Sequence, residues 1–144
     1  MSSIDLLPRH LVLVAIGGAV GTSARWGLLE ATAGPDGGSA GPVLFANLLG
    51  CGLLGLLLGP PQDGGISRSA RLLAGAGFCG GLTTFSTFAV EVARALRDGY
   101  LSGAVGYTVL SVAGGLVVFL LGRVIGGRIN RTPTAEPTTG GAQC

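Results

Sequence analysis

A chain of 144 residues in which 48% are hydrophobic and only 11% charged, with a mean hydropathy of +0.64, does not have the composition of a water-soluble domain of that length. Its formal net charge of +2, carried without a basic tract, sets aside nucleic-acid binding. The composition is that of a single membrane domain, residues 1–130, followed by a short polar tail.

The first apolar span covers residues 11–29 and carries Arg25 and Trp26 near its end. Arg9 precedes it as a basic residue precedes a signal peptide, but the run lacks a good small-residue cleavage site, so the segment is expected to remain as a span. A turn-rich piece, AGPDGGSAG at residues 33–41, leads into the second and shortest span, residues 42–59, which carries Asn47 within FANLLG. GPPQDGG at residues 59–65 breaks the chain again. The third span, residues 72–95, carries GGLTTFSTF at residues 80–88. The fourth, residues 100–122, holds Tyr107 and Ser111 four positions apart and so on one face. RTPTAEPTTGGAQC, residues 131–144, has almost no apolar content and is expected to be disordered outside the membrane.

The third span is the unusual one. Hydroxyls without partners cost several kcal/mol each, roughly, in hydrocarbon, yet Thr83, Thr84, Ser86 and Thr87 crowd its centre around Phe85 and Phe88. Gly80 and Gly81 weaken the helix just before them, so the expectation is a broken helix at a permeation or binding site, with the departure running from Gly80 to Thr83. The 28 glycines concentrate in the spans, and the pairs Gly17/Gly21, Gly55/Gly59, Gly77/Gly81 and Gly122/Gly126 have the small-xxx-small spacing of close helix crossings.

Four spans put both termini on one side. That side carries Arg9, Arg68, Arg71, Arg123, Arg128 and Arg131, against Arg94, Arg97 and the more deeply placed Arg25, a bias toward cytoplasmic termini. No catalytic constellation is present in the sequence. His10 is the single histidine, Cys51, Cys79 and Cys144 have neither disulfide nor metal spacing, and the glycine runs match no phosphate loop, so an enzyme is not expected.

What remains is a set of donors without fixed positive charge. Asn47, Ser86, Thr87, Tyr107 and Ser111 come from three spans and suit one hydrated path, while Phe85 and Phe88 can turn positive ring edges toward a small anion. Carbonyls freed at the break could hold a hard cation such as Na⁺. Arg25 and Glu91 stand at the polar ends of the spans, where they could pair, line a vestibule or face water. A carrier exchanging an anion for a proton would need a protonatable carboxylate, and only Glu91 could serve; a scaffold would use the glycines for packing alone.

The pattern closely resembles the Fluc (also called CrcB) fluoride channels: Gly18, Gly21, Arg25 and Trp26 in the first span, Asn47 and Gly50 in the second, and the stretch from Gly77 to Phe88 in the third. The resemblance covers all four spans. It implies an all-α membrane protein working as an antiparallel dimer, with a broken third helix and two pores, that exports fluoride passively across the cell membrane. It further implies one Na⁺ at the dimer interface, bound by the backbone carbonyls of Gly80 and Thr83. By position, the fluoride path would be Asn47, Phe85, Ser86, Thr87, Phe88, Tyr107 and Ser111, with Arg25 and Glu91 in support. Relatives can extend the fourth-helix track with a hydroxyl one turn beyond Ser111, where this chain has Gly115. The uneven arginine distribution also keeps a heterodimer with a paralogue of opposite orientation beside the homodimer.

Overall fold

In the computed structural model, residues 8–32, 38–59 and 66–129 are described. The polar tail, with Arg131 and Cys144, and much of the two turn-rich connections lie outside them. Every long element among the described residues is helical: α1 (Pro8–Thr32), α2 (Ala40–Leu58), α3 (residues 68–82), α4 (Phe85–Arg97) and α5 (Leu101–Ile129). α1, α2 and α5 are each long and apolar enough to cross a bilayer, and α3 with α4 makes the fourth crossing, Arg68–Arg97. At 19 residues, α2 reaches about 28 Å, close to the thickness of the hydrocarbon layer.

The helices run past the apolar spans. α1 begins at Pro8 and α5 continues to Ile129. Hydrophobicity ends where side chains meet headgroups, whereas a helix ends where its backbone hydrogen bonds do. α4 stops at a left-handed Gly99 with φ of 76°: Gly99 N–H donates to Leu96 O and Tyr100 N–H to Ala95 O, the two bonds of a Schellman cap.

Glycine sets the packing. α1 lies against α3 and α2 against α5, and all four small-xxx-small pairs sit at these two crossings. A Cβ at Gly17 or Gly21 would overlap the Leu73 or Phe78 carbonyl, and one at Gly81 the Gly18 carbonyl. On the other crossing, Gly55 and Gly59 admit the backbone of α5 at Phe119 and Arg123, while Gly122 and Gly126 admit that of α2 at Gly52 and Leu56. Without a hydrophobic driving force between helices in lipid, such backbone contact is what holds the bundle together.

The third crossing is irregular in two ways. Arg71–Cys79 is wound as a π-helix, a feature that apolar patterning does not signal. The break itself lies later than expected. Gly80–Leu82 is still a helical turn, and the extended residues are Thr83 (φ −82°, ψ 154°) and Thr84 (φ −145°, ψ 125°). Gly81 is needed as a helical glycine for its approach to α1, and the chain leaves the helix only where other side chains take over the backbone hydrogen bonds.

Candidate functional site

Two residues dropped out of a helix inside a bilayer leave donors and acceptors that must be met from elsewhere. Asn47 on α2 meets both groups of Thr84: its Oδ1 accepts from the Thr84 N–H at 2.8 Å, and its Nδ2 donates to the Thr84 carbonyl at 3.1 Å. Arg25 on α1 donates to the Thr83 carbonyl at 3.2 Å. The Thr83 hydroxyl donates back to Cys79 O at 3.1 Å. Thr84 is buried and caps α4, its Oγ1 accepting from Thr87 N–H at 3.3 Å and lying 3.2 Å from the hydroxyls of both Ser86 and Thr87.

The break also alters the carbonyls. In an unbroken helix the Thr84 N–H would donate to Gly80 O; here it is turned to Asn47, so that oxygen loses its helical donor. Gly80 is exposed, with open space where a side chain would stand. Thr83 O has one lone pair engaged by Arg25 and one left over. Backbone oxygens are the donor type a hard monovalent or divalent cation takes, so these two carbonyls are chemically suited to such an ion.

Beside the break runs a ladder of rings. Phe85 and Phe88 have centroids 5.8 Å apart with planes tilted by 42°, and Phe88 stacks on Tyr107 of α5 at 5.5 Å and 25°. Two cavities meet at this ladder. A largely apolar groove of about 720 Å³ is lined by Asn47, Thr83, Phe85, Phe88 and Ser111, with Gly80, Cys51 and Cys79 along its wall. A second cavity of about 630 Å³ lies between α4 and α5, lined by Glu91, Arg94, Asp98 and Tyr107. The stacked rings of Phe88 and Tyr107 form the partition between them.

Tyr107 Oη and Ser111 Oγ are buried and make no hydrogen bond to any described residue. They stand one turn apart on α5, next to the partition. In a dry setting such hydroxyls are costly unless something else occupies their hydrogen-bonding capacity.

The smaller cavity carries two carboxylates and Arg94, whereas the larger groove carries Arg71. Glu91 Oε1 accepts from Ser39 Oγ at 2.5 Å and from Arg94 Nη1 at 2.8 Å. Glu91 and Arg25 therefore do not pair with each other; each is engaged by a different partner.

Of the residues expected at the site, Asn47, Gly80, Thr83, Phe85, Phe88 and Ser111 converge on one groove, and Tyr107 reaches it from the other side of the partition. Ser86 and Thr87 line neither cavity in the single chain; their hydroxyls turn to the Thr84 cap. Thr84 was legible in the sequence only as one of the hydroxyls crowding the third span, without a role of its own. Its signal was present, because a Thr opening an amphipathic helix after a break is an N-cap.

The chain matches the family model described as CrcB-like protein, Camphor Resistance (CrcB) over residues 12–123. It is 43% identical over 124 residues to a Fluoride-specific ion channel FluC from Bordetella petrii, a match covering 81% of this chain and 91% of that one. Two further proteins of that name, from Methylobacillus flagellatus and Thermus thermophilus, are each 39% identical, over 78% and 85% of this chain and 91% and 98% of their own lengths.

Proposed function

The chain belongs to the CrcB-like family, and on that premise we propose that it is a fluoride-specific ion channel of the cell membrane, letting fluoride leave the cytoplasm passively. The observation that carries this reading is the pair of buried hydroxyls of Tyr107 and Ser111, without a hydrogen-bond partner among the described residues, beside the Phe85–Phe88–Tyr107 ladder. Fluoride is small and strongly hydrated, so a pore must replace its water with donors. Hydroxyls with free capacity and positive ring edges offer such donors, and Arg71, the one basic residue among the described residues that line the groove, adds a guanidinium at its wall.

Asn47 has a structural half and a functional half. One Nδ2 hydrogen and Oδ1 hold the break, and the second hydrogen is left for an ion in the groove. Phe85, which is 80% exposed in the single chain, and Phe88 line the groove where the ion would pass. Ser86 and Thr87 support the path through the Thr84 cap. A proton-coupled carrier is less well supported, because Glu91 is tied to Arg94 and Ser39 and is not free in the groove.

The working unit in this reading is an antiparallel homodimer. The open groove and the outward Phe85 leave one face of the protomer unfinished, as a self-complementary interface would. The carbonyls of Gly80 and Thr83 would hold Na⁺ at that interface, where a bound cation pins the break and keeps the flanking side chains in register. Arg25 secures the same segment from α1.

Recording from planar bilayers tests the reading. Under a fluoride gradient with chloride balanced, the current should reverse at the fluoride equilibrium potential. A reversal potential that follows chloride, or a flux that is electrically silent, would contradict a fluoride channel.

A further inference from the structure

The cavity between α4 and α5 poses an electrostatic problem for any anion path that opens through it. Two carboxylates line it, Glu91 at the inner end and Asp98 at the helix end, and the α4 C-terminus adds its own negative dipole end. Glu91 is one turn from Phe88, whose ring forms the partition with Tyr107. A bare carboxylate there would repel fluoride next to the partition.

Arg94 is the one basic residue lining this cavity among the described residues. Its guanidinium donates to Glu91 Oε1 at 2.8 Å, and its side chain is 59% exposed while that of Glu91 is 11% exposed. The pair is therefore asymmetric. The acid is held inside by Ser39 of the α2 N-terminus, and the base reaches in from solvent to cover it. Arg97, in the same last turn of α4, does not line the cavity. With the guanidinium of Arg94 still largely exposed, the pair adds only modestly to stability, and its placement is better explained by the field it sets at the mouth.

Resting on the channel reading above, we infer that Arg94 is a charge-compensating residue of the fluoride path: by covering Glu91 it cancels the negative field at the mouth between α4 and α5 and sets how fast fluoride enters. Asp98 is exposed and screened by solvent, so the compensation matters most for Glu91.

The test is fluoride efflux from liposomes by wild type, Arg94→Gln, Arg97→Gln and the double variant Glu91→Gln/Arg94→Gln, at ionic strengths set with a large impermeant anion. At about 10 mM, where the screening length is roughly 30 Å, Arg94→Gln should lose on the order of tenfold in rate. The loss should shrink toward wild type near 1 M, where the screening length is about 3 Å. Arg97→Gln, the same charge change outside the cavity, should stay within about twofold of wild type, and the double variant should recover most of the rate. A loss in Arg94→Gln that ignores salt and is not recovered by Glu91→Gln would mean a structural role and overturn the inference. So would an unchanged rate beside an active wild type. No fluoride efflux from wild type would instead overturn the channel reading on which the inference rests.

Discussion

Asn47 and Thr84 are joined by two hydrogen bonds that run in opposite directions, Thr84 N–H to Oδ1 at 2.8 Å and Nδ2–H to the Thr84 carbonyl at 3.1 Å. A side-chain amide thus does for one extended residue what a neighbouring strand does in a sheet, at a depth where water is not available to do it. The consequence is that the break in the third crossing is held from α2.

Replacing that amide should separate the two halves of its role. Asn47→Asp keeps an acceptor for the Thr84 N–H but sets a carboxylate oxygen against the Thr84 carbonyl, which should lower stability by about 1–3 kcal/mol. It also removes the donor left for the ion, so fluoride efflux should fall by at least about tenfold, equivalent to roughly 1.4 kcal/mol in the barrier. A folded Asn47→Asp with wild-type efflux would take Asn47 out of the path.

The hydroxyls of Tyr107 and Ser111 predict the opposite combination. Since neither makes a hydrogen bond to another described residue, Tyr107→Phe and Ser111→Ala should leave the melting behaviour within about 0.5 kcal/mol of wild type. Efflux should nonetheless drop, most in the double variant. Melting curves and fluoride-electrode traces on the same preparations decide it; a marked loss of stability would show that the hydroxyls are structural.

Phe88 touches both Phe85 and Tyr107, so Phe88→Ala removes two ring contacts, each worth about 0.5–1.5 kcal/mol beyond the area it buries. The variant should fold less stably and conduct little. Phe88→Leu, which restores bulk but no ring edge, should recover folding and not flux. Recovery of flux with leucine would mean that the ring serves as packing.

These side chains were legible to different degrees. The spans, the four glycine pairs and the unusual third crossing could be read directly, because apolar length and small-xxx-small spacing are local properties of the chain. The position of the break could not. Local propensity points to Gly80 and Gly81, whereas the chain departs at Thr83 and Thr84, where Arg25 and Asn47 supply partners from distant positions. The same limit hid the turn of Ser86 and Thr87 into the Thr84 cap and the pairing of Glu91 with Ser39 and Arg94. Which hydroxyl faces a path and which faces its own backbone depends on tertiary neighbours.

Close backbone approach makes a sharp prediction on α1. Gly21→Ala forces a Cβ into the Phe78 carbonyl, and overpacking of this kind costs about 1–3 kcal/mol, so the variant should melt earlier and yield less folded protein. Gly27→Ala, on the same helix with nothing near its Cβ, should melt like wild type. Equal behaviour of the two would contradict the packing of α1 on α3.

If Gly80 and Thr83 hold Na⁺ between protomers, exhaustive Na⁺ depletion should weaken the dimer and reduce efflux, and adding Na⁺ back should restore both, since a ligand bound only by the assembled state stabilises it by mass action. Efflux that is indifferent to Na⁺ depletion would remove the cation from the account.

The central claim is that this chain by itself makes a fluoride-selective, electrogenic pore. The direct measurement is fluoride efflux from liposomes holding the purified protein alone, followed with a fluoride electrode under K⁺ and valinomycin, with chloride run in parallel. The account predicts rapid fluoride efflux, no chloride efflux, and a stall when valinomycin is left out. Folded protein that releases no fluoride, or that releases fluoride equally well without valinomycin, would contradict it.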